Sequence, residues 1–145
     1  MGAVVLHDAV WLLPADPTTR EAFEWLAEEI EQQGGTAFTW EGLSSDAAQA
    51  QAIVRRFQAQ ADARYAEIVD SASELSRLAV RMRPVNEPRL HQIRRRLVGL
   101  DRAIRLERRR DYFRSPARIA TEQAVGDALA ELDRRLERQP VRAAR

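Results

Sequence analysis

The 145-residue chain contains no cysteine, which excludes disulfides, thiolate zinc sites, iron–sulfur clusters and a cysteine nucleophile. Lysine is absent too, because all 23 basic residues are arginine. A GC-rich genome accounts for that usage, and arginine also brings a planar, bidentate fork for oxyanions that lysine lacks. With only two histidines, His7 and His91, far apart in the chain, a metal would be left with carboxylates alone, and no metal or cofactor is expected. No apolar run approaches the roughly 20 residues of a membrane span. The apolar N-terminus has no basic stretch before it and no small-residue cleavage pattern, so a cytoplasmic protein without membrane contact is expected.

What remains is apolar material and segregated charge. The chain has the size of one ordinary domain, and at 45% hydrophobic it can bury a core. The formal net charge of +1 conceals an acidic head and a basic helix. Residues 1 to 47 hold one arginine, Arg20, against nine acids, whereas residues 89 to 114 hold ten arginines against Asp101, Glu107 and Asp111. Such halves attract each other or different partners.

In the head, residues 1 to 43, "GAVVLHDAVWLLP" gives two short Val- and Leu-rich runs split by Asp8-Ala9. This predicts a tight β-hairpin over residues 3 to 7 and 10 to 13, with Ala9 where glycine would suit a left-handed turn better. Asp16-Pro17 caps a helix that Gly34-Gly35 stops. Ala22, Phe23, Leu26, Ala27 and Ile30 share one face of that helix, and Glu21, Glu24, Glu28 and Glu31 line another. "TAFTWEG" alternates and predicts a third strand. Trp11, Trp25 and Trp40 all fall in this head, where packing is the expected role. Three strands and one helix make a marginal core, so one sheet edge is expected to be bare unless another chain covers it.

The body, residues 44 to 139, reads as long helices. From Asp46 to Met82 there is no Gly or Pro, and Phe57, Ala61, Ile68, Ala72, Leu75, Ala79 and Met82 recur mostly at steps of three and four. "RPVNEP" breaks the run. Leu90, Ile93, Leu97, Leu100 and Ile104 form a narrow seam on the next helix. Ser115-Pro116 opens a third, with Val125, Leu129, Leu132 and Leu136. Short breaks favour antiparallel neighbours, giving a helical hairpin or three-helix bundle, with a frayed tail over residues 140 to 145. The fold class is thus α+β and mostly helical.

One stretch, "RRRLVGLDRAIRLERRRDYF", carries the candidate site. Opposite its leucine seam lie Arg94, Arg95, Arg102, Arg105 and Arg109, with Arg95, Arg102 and Arg109 spaced seven apart. Asp101 can offset Arg105, and Glu107 can offset Arg110, at helical spacing. This stripe is a solvated face, or one paired with the glutamates of a head in the same or a neighbouring molecule. Alternatively it is a DNA-backbone contact, or an oxyanion site if arginines converge from two elements. His7 and Asp8, adjacent on a strand, point to opposite faces and lack a nucleophile, and His91 lies near a helix start. No enzyme is expected.

Taken in order, "GAVVLHDAVWLLP", "FEWLAEEIEQQGGTAFTW", "VRRFQAQADARYAEI" and "RRRDYF" resemble the N-terminal domain of the chromate-resistance regulator family, ChrB, over essentially the whole chain. The head motif is also similar to that of PaaX-type repressors. Members usually carry a strand and a helix before the "GAV" segment, completing a ferredoxin-like βαββαβ unit, so the resemblance implies a partial ferredoxin-like head here. They also continue into a C-terminal chromate-resistance domain. The resemblance implies the N-terminal module of a chromate-responsive transcriptional regulator, with DNA as a partner, chromate as an effector and a homo-oligomer or other partner over the open sheet edge. The alternative is a structural or dimerisation module that touches no nucleic acid.

Overall fold

The computed structural model describes residues 1–8 and 10–138. In chain order it consists of β1 (Val4–His7), β2 (Val10–Leu12), α1 (Pro17–Gln32), α2 (Ala47–Arg81), α3 (Glu87–Arg108) and α4 (Ala117–Glu137). The expected α+β, mostly helical class is what forms. Ala9 and the expected frayed tail, residues 140 to 145, lie outside the described residues.

Helices α2, α3 and α4 pack on one another as a three-helix bundle. Their contacts fix the directions. Arg94, early in α3, meets Asp133, late in α4, Arg135, also late in α4, donates to the Met82 carbonyl at the end of α2, and Arg64, midway along α2, meets Glu107, late in α3, so α3 runs antiparallel to both. The core consists of the sequence-periodic residues: Ala61, Ile68, Ala72, Leu75 and Ala79 of α2, Leu90, Ile93, Leu97 and Ile104 of α3, and Val125 and Leu132 of α4. Leu100, Leu129 and Leu136 pack against it half-buried. At 35 residues α2 is about 52 Å long, longer than its neighbours, and its first turns reach past the bundle to the head.

The upper end of the bundle is polar. The α3 seam continues in the same rhythm through Glu107 and Asp111, both buried. Arg64 donates to both carboxylate oxygens of Glu107, at 3.3 and 3.2 Å, so Glu107 pairs across the bundle and not with Arg110, which lies past the end of α3. The Tyr65 hydroxyl donates to Asp111 at 3.4 Å, and the Ser115 backbone N–H donates to the same carboxylate at 2.8 and 3.0 Å. Ser115 Oγ also donates to Asp62 and accepts from the Ala117 N–H at 3.1 Å, which starts α4 one residue after Pro116. These bonds matter because an unpaired buried carboxylate costs several kcal/mol.

Held this way, the α3–α4 loop lays Tyr112 and Phe113 on Phe57 of α2, with ring centroids 6.1 and 5.2 Å apart. The head attaches at residues that flank this aromatic cluster in sequence. Gly2 lies so close to Arg110 that an added Cβ would come within 2.8 Å of the Arg110 Cβ, and Val4 is buried. Side chains of α2 reach β1 directly: Gln60 donates to the Ala3 carbonyl at 3.3 Å and Arg56 to the Leu6 carbonyl at 3.2 Å.

The hairpin matches the expected one, paired Val4 to Leu12 and Val5 to Trp11, with an irregularity between Val5 and His7. Asp16 caps α1 by accepting from Thr18 and Thr19, and Thr19 completes a capping box. At the other end Gly34 is left-handed, at φ +84°. Its N–H donates to Glu31 and that of Gly35 to Ile30, a Schellman stop that a Cβ at Gly34 would strain.

The third strand does not form. Residues 35–44 carry no regular element, and among the described residues the sheet has two strands. Alternation says which side of a strand would be apolar, but a strand exists only where a neighbour completes its hydrogen bonds. Among the described residues no strand pairs with this segment, and Phe38 and Trp40 are 82% and 68% exposed. Trp11 and Trp25 are exposed as well, so the three tryptophans do not pack as expected.

Two outcomes follow from the polar joint. Phe57→Ala removes the buried ring on which Tyr112 and Phe113 of the loop pack, and urea unfolding should show a loss of about 3–5 kcal/mol. Burial, reinforced by the charge of Asp111, pushes the Tyr65 phenol from 10.0 up to about 12. Between those values the unfolded chain releases the proton while the folded chain keeps it. Stability from this group is therefore intact below pH 10 and lost as pH rises towards 12. Denaturation series across that window should show a downward slope that Tyr65→Phe flattens.

Candidate functional site

Because α3 turns Leu90, Ile93, Leu97 and Ile104 inward, the opposite side of the helix is solvent-facing, and the five candidate arginines are all exposed there. They divide into two groups. Arg94 lies on the flank towards α4, where its Nε and Nη2 donate to Asp133 at 2.6 and 3.3 Å. That bond and the carboxylate charge raise its pKa further above the ordinary arginine value. Arg105 pairs with Asp101 one turn earlier, as the spacing predicts. Neighbouring Arg108 faces Glu122 of α4 at 3.7 Å, which Arg118 shares at 3.2 Å.

Arg95, Arg102 and Arg109 form the second group. Among the described residues none of them has an ion-pair partner. A step of seven residues is about 10.5 Å along a helix, so the three guanidinium groups are spread over about 21 Å of one face. Between them sit Gly99, above which an added Cβ would meet nothing within 4 Å, and Leu106, 49% exposed. The face is thus positive, uncovered and low at its middle.

The structure also places the remaining candidates. Arg105, Arg108 and Arg109 line a shallow, open concavity, but all three come from α3, and two of them already face carboxylates. Arginines from two elements, the requirement for a tight oxyanion clamp, do not meet there. His7 and Asp8 do not point to opposite faces. Asp8 adopts a left-handed conformation at φ +37°, which turns its carboxylate back to His7 Nδ1 at 3.1 Å. The pair is 82% and 89% exposed, so solvent screens it. His91 faces Glu87 at 3.7 Å on the first turn of α3. Among the described residues no group of His, Asp and Glu is placed to hold a metal ion.

Sequence reading missed Tyr65, Glu107 and Asp111 as buried groups. The signal was present, since Ala61 to Ile68 leaves a step of seven whose missing position is Tyr65, and Glu107 and Asp111 extend the steps of the leucine seam.

No helix among the described residues is long and apolar enough to cross a membrane. No curated protein and no solved structure compared with the chain matches it. The family model described as Protein ChrB, N-terminal, matches residues 1–141, nearly the whole length, in line with the resemblance carried by the hairpin, the "GG" stop and "RRRDYF". The chain therefore belongs to the ChrB N-terminal family and is a chromate-resistance-related protein.

Proposed function

We propose that this chain is the non-catalytic N-terminal module of a cytoplasmic, chromate-responsive transcriptional regulator, and that it holds the DNA backbone through Arg95, Arg102 and Arg109. Chromate is the effector in this reading. The observation that carries it is the division of the arginine face. Arg94 and Arg105 are neutralised by Asp133 and Asp101, whereas the other three stand exposed in one line with no carboxylate partner among the described residues.

The chemistry is electrostatic. Each guanidinium that replaces a condensed counterion at a phosphate steepens the salt dependence of binding by about 0.9 logarithmic unit per decade. Three contacts give a slope of about −2.7, or about a 40-fold loss of affinity between 50 and 200 mM salt. Such contacts position a protein and carry no base preference. Sequence discrimination would come from other surfaces of the regulator.

The test is a salt titration of binding to DNA from the promoter of the protein's own transcription unit. The expected result is a mobility shift whose slope is removed, together with the shift, in an Arg95→Glu, Arg102→Glu, Arg109→Glu variant, while Arg94→Gln changes little. Binding that the triple variant leaves unchanged would overturn the assignment.

A further inference from the structure

Among the described residues helix α1 packs on none of the other helices and strands. A lone helix of 16 residues is marginal in water, and this one exposes Trp25 at 66%. Around Trp25 stand Glu21, Glu24, Glu28 and Glu31, all exposed and without an ion pair among the described residues. Glu21, Trp25 and Glu28 follow the spacing i, i+4, i+7. On α3 the spacing is the same for Arg95, Gly99 and Arg102, with signs reversed and an open space where the acidic face carries its largest ring. Within one chain α1 and α3 do not pack on each other among the described residues.

We infer that the occupant of the arginine face is a second copy of this chain, whose α1 lies along α3 with Trp25 seated over Gly99 between Arg95 and Arg102, and with Glu21 and Glu28 facing those arginines. Charge complementarity fixes the pairing. A Trp ring flanked by guanidinium groups adds cation–π attraction, and the absent Cβ at Gly99 admits the ring close to the backbone. A two-fold arrangement makes the contact reciprocal, each head on the other body, so both unpartnered helices are covered at once. The inference shares residues with the DNA reading but does not require it. Where both hold, DNA and the second head compete for the same arginines.

Sedimentation equilibrium without nucleic acid tests the pairing, so its failure is distinct from a failure to bind DNA. The wild-type chain should approach twice its 16.5 kDa mass and dissociate as salt rises from about 0.05 to about 0.5 M, where the screening length shortens. Glu21→Arg with Glu28→Arg, and separately Arg95→Glu with Arg102→Glu, should each weaken self-association about tenfold or more. An equimolar mixture of the two variants should restore it, because both reciprocal contacts regain opposite charges. Gly99→Leu, whose Cβ would enter open space, should keep the helical circular dichroism of the wild type and still lose the dimer. A wild-type monomer at all concentrations, variants that pair as the wild type does, or a mixture that stays monomeric would each overturn the inference. Loss of pairing only on Phe38→Ser with Trp40→Ser would do so too, by moving the contact to the apolar side of the head.

Discussion

The structure depends on how the upper end of the helical bundle meets buried charge. Two carboxylates, Glu107 and Asp111, occupy positions where the α3 seam would call for leucine. A carboxylate there is tolerable only with partners close by, and Arg64, Tyr65 and the Ser115 amide supply them. The need to satisfy Asp111 from both α2 and the start of α4 fixes the loop between α3 and α4. That loop in turn presents Tyr112 and Phe113 to Phe57. An apolar seam would have sealed the bundle equally well, but without directional bonds to set where the head attaches.

From that joint the two halves of the molecule diverge in character. The bundle has a continuous core in which polar groups are paired. The head is a two-stranded hairpin, a capped helix and an irregular segment, tied to α2 by Val4 and two side-chain bonds to β1 carbonyls. Its apolar residues outnumber the surfaces available to cover them, so Trp11, Trp25, Phe38 and Trp40 face solvent. Large exposed aromatics and an uncovered helix mark an interaction surface in a way that scattered apolar side chains do not. The charge segregation points the same way, since acidic head and basic helix face do not neutralise each other inside one chain.

The arginine stripe shows why counting charges along a helix is not enough. On a helical wheel the five candidates share one side, and spacing offers a partner to Arg105 alone. In three dimensions Asp133, contributed by a different helix 39 residues away in sequence, removes Arg94, and Asp101 removes Arg105. The three that remain are separated by full heptads, so they lie in line, and the glycine and leucine between them shape the face. A membership in the ChrB N-terminal family gives that face a biological setting without saying what sits on it.

Much of the fold was legible from the sequence because local rules act within a few residues. Periodic apolar positions named the bundle core, Asp16-Pro17 and Gly34-Gly35 marked the ends of α1, and the Pro-containing breaks separated the helices. The third strand was not legible, because "TAFTWEG" has the pattern of a strand but strand formation is decided by a hydrogen-bonding neighbour elsewhere in space. The pairing of Glu107 with Arg64 and the loss of Arg94 to Asp133 were likewise out of reach. A charge is free or neutralised according to which distant side chain packing brings within about 4 Å, and sequence spacing carries that information only along a single helix.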